Sequence, residues 1–291
     1  MRAPFFSVIL TVYNGEHFLQ NALESLRRQQ FEDWELIAVD DASTDGTARI
    51  LSSFVATEPR ARLITNQKNL HMGAAANVGM RAARGSWLAR LDADDQYHPD
   101  FLRRMYEEAV SAAPAEFLTC WPRIIDEKGR DLIGIRLPSA ASLKRLMPVK
   151  NHLYHVATCF PKKLWDLTVG YPEDRIPGSD AVLWRTFFAK GARLRCIPEF
   201  LIDYRVHNAN YTTSLEVTKK SSARDWMLQL YLKEGLLEDA RRELREIQRA
   251  ERRKNFKYVF YWALTWFGRP AARFMMWEVY PWFRVFKKIS K

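Results

Sequence analysis

Phe6-Ser-Val-Ile-Leu-Thr-Val12 is β-rich and mostly apolar, and the turn residues Tyr13-Asn-Gly15 end it. An apolar run of this length, without alternation, suits a strand buried on both faces of a parallel sheet. The period then changes. Phe18, Leu19, Ala22, Leu23 and Leu26 fall at helical spacing within residues 16–30. The rhythm repeats down the chain. A second strand at 34–39 is stopped by Asp40 and Asp41, and the loop Ser43-Thr-Asp-Gly-Thr47 caps a helix at 47–57. A short strand at 61–65, an Ala-rich helix at 73–84 and a fourth strand at 87–91 follow. Strands alternating with helices predict an α/β domain with a mostly parallel sheet flanked by helices.

From about residue 115 the rhythm loosens. Short strands at 116–121, 124–126 and 132–136 surround the turn Asp126-Glu-Lys-Gly129. Helices are predicted at 140–148 and 180–190, the second closed by Gly191. Further strands are predicted at 193–197 and 200–205. Residues 219–254 read as helix, and 255–291 interleave aromatic residues with Lys and Arg. The chain therefore divides into a domain at 1–215 and a helical C-terminal extension at 216–291.

Charge sharpens that division. The net charge is +11, yet residues 219–291 hold 18 Lys/Arg against 8 Asp/Glu. The first 218 residues are nearly neutral, which argues against nucleic acid as a partner. Three cysteines without C-x-x-C spacing point to a reducing compartment, without a disulfide framework or zinc site. The apolar stretch at 5–13 is too short for a secretory leader. Phe256 to Phe267 is likewise too short to cross a bilayer, and Gly268-Arg-Pro270 interrupts it. Aromatics among basic residues suit a helix lying on an anionic membrane surface. This predicts a cytoplasmic protein, peripheral at the inner face of the cell membrane. Packing of the tail on the domain or on a second copy, giving a homo-oligomer, is the alternative.

The acidic residues carry the chemistry. Leu88-Ala-Arg-Leu-Asp-Ala-Asp-Asp95 is an apolar run ending in three carboxylates. In a parallel sheet all strands end on one edge, where open α/β sheets bind ligands. Thr11-Val-Tyr-Asn14, Asp40-Asp41 and Asp92-Ala-Asp-Asp95 should therefore share a crevice. Asp180 opens a later helix after Pro177-Gly-Ser179. Hard oxygen ligands in such a crevice suit Mg²⁺ or Mn²⁺ holding a diphosphate.

Six stretches together resemble the family 2 glycosyltransferases of the GT-A fold. They are Ser7-Val-Ile-Leu-Thr-Val-Tyr-Asn14, Leu36-Ile-Ala-Val-Asp-Asp-Ala-Ser-Thr-Asp-Gly-Thr47, Asn77-Val-Gly-Met-Arg-Ala-Ala-Arg-Gly85, Leu91-Asp-Ala-Asp-Asp95, Ser179-Asp-Ala-Val-Leu-Trp-Arg185 and Tyr204-Arg-Val-His207. The resemblance implies a GT-A (Rossmann-like) sheet and inverting transfer from a nucleotide-sugar, a UDP-sugar, to a hydroxyl of a glycan or lipid-linked acceptor. The implied setting is cell-envelope polysaccharide or glycolipid synthesis. It places Thr11, Tyr13, Asp40, Asp41, Asn77, Asp92 and Ala93 at the donor, with Asp41 accepting from the base and Asp40 supporting the turn. It assigns Asp94 and His207 to the metal and makes Asp180 the general base. Asp95 is read as a cap of the following turn. Two departures are visible. Ser179 stands where Glu usually precedes the base, and Ala76 where Arg is common before Asn77. The competing reading is a nucleotide-sugar-binding scaffold without turnover, docked on a membrane complex. Nucleotidyl transfer is disfavoured, because no Gly-rich phosphate loop with Lys or Arg occurs early in the chain.

Overall fold

The computed structural model describes residues 2–147, 151–173 and 178–207. The domain boundary at 215/216, the helix read at 219–254 and the aromatic tail lie outside the described residues.

The first half follows the rhythm of its sequence. It runs β1 (Phe6–Val12), α1 (Glu16–Arg27), β2 (Trp34–Asp40), α2 (Thr47–Thr57), β3 (Ala61–Thr65), α3 (His71–Ala82) and β4 (Trp87–Asp92). β5 (Gln96–Tyr97) and α4 (Phe101–Ala109) come next. β6 (Glu116–Ile125), β7 (Asp131–Gly134) and α5 (Ala140–Leu146) lead to a 3-10 turn at His155–Ala157. β8 (Thr158–Pro161), α6 (Lys162–Asp166), α7 (Ser179–Ala189) and β9 (Arg193–Arg205) complete the described chain.

One nine-stranded sheet has the order β3-β2-β1-β4-β8-β6-β9-β5, with β7 on β6. β3, β2, β1 and β4 are parallel, and the antiparallel β8 breaks the pattern beside β4. Alternation along β1 sends Phe6, Val8, Leu10 and Val12 to a core shared with α1, α2 and α4, and Ile9 to the opposite core. That second core holds α3, α5, α6 and α7, through Met80, Leu143, Leu164 and Trp184. Among the described residues no helix is long and apolar enough to cross a membrane.

The loosened half differs from its sequence reading in two ways. The strands read at 116–121 and 124–126 are one, as are those at 193–197 and 200–205. β6 and β9 pair in parallel, and register shifts near Trp121 absorb the polar interruptions that look like strand ends. The helix α4 escapes the sequence reading, although Phe101, Leu102, Met105 and Ala109 are buried at helical spacing. β5, β8 and α6, each of five residues or fewer, carry too little pattern to read.

Two glycines bring α3 against the segment that approaches Asp180. A Cβ on Gly73 would lie 2.1 Å from the Pro172 carbonyl oxygen. Gly170 takes φ +81°, and a Cβ there would sit 2.5 Å from Asn77 Oδ1. Only the bare backbone permits both approaches.

Candidate active site

Register sets the crevice. Thr11 pairs with Asp92 and Val12 with Asp40, so the carboxyl ends of β1, β2 and β4 stand level. Non-glycine residues with left-handed backbone occur at Asn14 and Ala42, in the connections after β1 and β2, and at His71, the first residue of α3. Such strain gathers where function over-determines the backbone. Tyr13 is half exposed at this edge.

The two aspartates after β2 are both buried. Asp40 Oδ1 accepts the Ser43 N–H and closes the turn, as its sequence position suggests. Asp41 Oδ1 accepts from Asn66 Nδ2 at 2.8 Å and from the Leu70 N–H at 2.9 Å. Both bonds use one oxygen, which leaves Oδ2 for a ligand.

β4 carries an unexpected cation. Arg90 is fully buried two residues before Asp92. Its Nη2 donates to Asp92 Oδ1 and to Thr11 Oγ1, each at 3.0 Å. Its Nε and Nη1 are buried without a hydrogen-bond partner. His155 Nδ1 lies 3.9 Å from the same Asp92 oxygen, and its Nε2 meets the Tyr171 hydroxyl at 2.6 Å. Burial first, and then Arg90, push the His155 pKa down to about 3, so the ring is neutral. Arg90 was legible as a charge inside an apolar strand. His155 sits in a stretch without a readable motif.

The end of β9 is sewn to the acidic turn. Arg205 is buried, and its N–H donates to Asp95 Oδ1 at 2.8 Å. Its guanidinium reaches the carbonyls of Asp94, Asp126 and Glu127. Asp95 therefore ties the turn to β9 and is not the cap that its sequence position suggests. His207 emerges from this tie with Nε2 3.0 Å from Asp94 Oδ2. Burial and then the charge of Asp92 raise the Asp94 pKa. Burial and then both neighbouring aspartates raise that of Asp95 well above the usual range. The turn thus carries more negative charge than it can comfortably hold.

No cluster of three or more His, Cys, Asp or Glu side chains suited to a metal occurs among the described residues. Asp94 and His207 face each other. Two protein ligands fit Mg²⁺ or Mn²⁺, which keep waters and take phosphate oxygens for the rest. The crowding of Asp92 and Asp94 is what a cation would relieve.

Asp180 lies half-buried in the first turn of α7. Burial, and then the nearby charge of Asp92, push its pKa up to about 6, against the hydrogen bonds it accepts. Asn151 Nδ2 donates to its Oδ2 at 2.6 Å. The side chains of Thr11, Asp92, Asp94, His207 and Asp180 thus form one neighbourhood, with Ala93 in the turn between.

Asn77 does not join them. It is fully buried; its Nδ2 donates to the Tyr171 carbonyl and its Oδ1 accepts the Tyr171 N–H. With both ends of the amide engaged, it is a clamp between α3 and the 170–173 segment.

The three cysteines are free thiols. Cys120 and Cys159 are buried in the core.

Against known proteins, the profile of glycosyl transferase family 2 matches residues 7–162. The succinoglycan biosynthesis protein ExoO of Rhizobium meliloti is 37% identical over 145 residues. That match takes in 50% of this chain but 40% of ExoO. The crystal structure of S. aureus TarS (residues 1–349) with UDP-GlcNAc superposes with a TM-score of 0.68 at 19% identity. It covers 89% of this chain and 79% of that one. The Pyrobaculum calidifontis mannosyltransferase PcManGT, in complex with GDP-Man and Mn²⁺, gives 0.60 at 18% identity, covering 94% and 74%. These two likenesses show the GT-A fold. With the profile spanning more than half its length, this chain belongs to glycosyl transferase family 2.

Proposed function

We propose that the protein is an inverting, metal-dependent glycosyltransferase moving a sugar from a UDP-sugar to a hydroxyl of a glycan or lipid-linked acceptor. The observation that carries the reading is the placing of Asp180. It is a half-buried carboxylate with a raised pKa, beside the donor-side Asp92. A general base near neutrality needs such an environment.

Asp180 takes the proton of the acceptor hydroxyl as that oxygen attacks the anomeric carbon from the face opposite the leaving group. One in-line displacement inverts the centre, through a transition state of oxocarbenium character. Asp41 Oδ2 accepts the N–H of the base in a charge-assisted bond, with Tyr13 against the ring and Asp40 holding the turn. Thr11, Asp92 and Ala93 bound the ribose. Asp94 and His207 would hold the divalent ion, and a cation there supplies positive charge to the departing nucleoside diphosphate.

The succinoglycan biosynthesis protein ExoO supports a setting in polysaccharide synthesis, and our reading extends it to envelope polysaccharide or glycolipid synthesis on the cytoplasmic side. The basic, aromatic segment 255–291 docks on the anionic membrane surface where a lipid-linked acceptor is presented. Flotation of the full chain with anionic but not neutral vesicles tests this.

The catalytic reading is tested with a panel of nucleotide-sugars, followed by thermal shift with and without Mn²⁺ and by release of the nucleotide. A UDP-sugar should stabilise the protein in a Mn²⁺-dependent way and be slowly hydrolysed. Donor binding with no turnover to any acceptor or to water would favour the scaffold reading instead.

A further inference from the structure

Asn151 stands in a stretch without a motif, yet it makes the side-chain contact that fixes Asp180. Its amide orientation is determined. Oδ1 accepts the Leu153 N–H at 2.9 Å, so Nδ2 is the end that faces Asp180 Oδ2 at 2.6 Å. The adjacent Ser179 hydroxyl is buried without a partner and does not reach the carboxylate.

We propose that Asn151 is a positioning residue for the proton acceptor: it engages Oδ2 of Asp180 and reserves Oδ1 for the incoming hydroxyl. This rests on the reading of Asp180 as the base. An amide N–H bound to the ionised form also favours that form. The other groups facing Asp180 act in known directions. The Asp92 carboxylate opposes its charge, the Ala181 N–H at the start of α7 supports it, and Tyr171 stays a neutral phenol whose own ionisation Asp180 makes harder. Asn151 is the neighbouring side chain that offsets burial and keeps the base available near neutral pH.

Asn151→Ala is the decisive variant, because it removes the donor to Asp180 without adding a charge beside it. Asn151→Ser, whose hydroxyl can still accept the Leu153 N–H but is too short to reach Asp180, is the second variant. Two measurements on the full chain read the effect. The first is carboxyl ¹³C NMR titration of Asp180, identified by its disappearance in Asp180→Asn. The second is kcat/KM against pH for Mn²⁺-dependent release of UDP from a panel of UDP-hexoses, with water as acceptor.

Both variants should move the Asp180 midpoint and the acid limb of the rate profile together to higher pH. A one-unit move costs about fivefold at pH 6 and less than about twofold at pH 8.5. An unmoved midpoint, or a loss equal at every pH, would overturn the inference and leave Asn151 a loop-stabilising residue. Full turnover by Asp180→Asn, or no turnover by the wild type, would instead overturn the reading of the base, whatever the Asn151 variants do to the titration.

Discussion

His207 Nε2 lies 3.0 Å from Asp94 Oδ2, across 113 positions of sequence. The contact is prepared two residues earlier, where buried Arg205 grips the backbone of the acidic turn and Asp95 accepts the Arg205 N–H. Phe18 on α1 stacks against both ends of this unit, 4.7 Å from the His207 ring and 4.8 Å below the Arg205 guanidinium. In the function proposed above, this pair supplies the two protein ligands of the metal ion.

Metal binding should therefore depend on both partners. UDP with Mn²⁺ is expected to raise the melting temperature of the wild type well above UDP alone. In Asp94→Ala and in His207→Ala the Mn²⁺-dependent part of that rise should largely vanish. An undiminished rise in either variant removes that residue from the metal site.

The second expectation concerns Asp180 and its sign. Its pKa, pushed up to about 6 by burial, stands above the ordinary carboxylate value of 3.8. Transfer needs the ionised form, so the rate should climb as pH rises through about 6. Stability runs the other way. For a carboxyl raised on folding, the contribution is fully present below the unfolded pKa and is lost as pH rises through the folded one. Asp180→Asn should thus cut transfer about 10²-fold or more with donor affinity nearly intact. It should also stabilise the fold above pH 6 by up to about 3 kcal/mol, and not at pH 4. Denaturant melts at the two pH values, beside donor titrations, check both halves. Retained transfer would make Asp180 structural only.

What the sequence revealed and what it hid have physical reasons. β1, β2 and β4 are buried on both faces, so their apolar runs and the polar residues that stop them mark both strand and crevice. By that logic Thr11, Asp40 and Asp92 share one edge of the sheet, and the strand register sets them level there. It fails where partners are set by tertiary approach. Asn77 looks like a helix-start ligand, but Gly73 and Gly170 let the 170–173 segment close upon it and occupy its amide. Asn151 and His155 sit among short, irregular elements, where no periodicity announces them. Arg90 was announced by its own oddity, a guanidinium within an apolar strand.

That oddity yields a third expectation. Arg90 is the side-chain cation on Asp92, and it also holds Thr11, so both donor-side groups lose their anchor without it. Arg90→Met should raise the donor KM about tenfold or more with a smaller change in kcat. Arg90→Lys should rescue little, because the lysine chain ends short of the position of Arg90 Nη2, which makes both contacts, and a buried ammonium gives up its charge readily. Steady-state kinetics with the preferred donor decides it. An unchanged KM in both variants would confine Arg90 to the core.

The last expectation lies at the opposite end of the strands and serves as a control on the others. Glu35 on β2 is buried, pairing in register with Ser7 on β1. Its Oε1 accepts from Ser7 Oγ and the Arg84 N–H, each at 2.7 Å, and its Oε2 from Arg84 Nε and Arg62 Nη2. Burial alone would raise its pKa, yet Ser7, Arg84 and Arg62 together hold it below the usual value. For a depressed carboxyl the stabilisation is present above the unfolded pKa and is lost as pH falls through the folded one. Both arginines are partly exposed, which trims their share. Glu35→Gln should cost about 2 kcal/mol at pH 7, and the gap to wild type should close as pH drops below about 4. Because Ser7 and Glu35 sit at the end of the sheet away from the crevice, donor KM and the pH profile should stay as in the wild type. A shift in either would show that the two ends of β1 and β2 are coupled, and that changes at the acidic edge cannot be read locally.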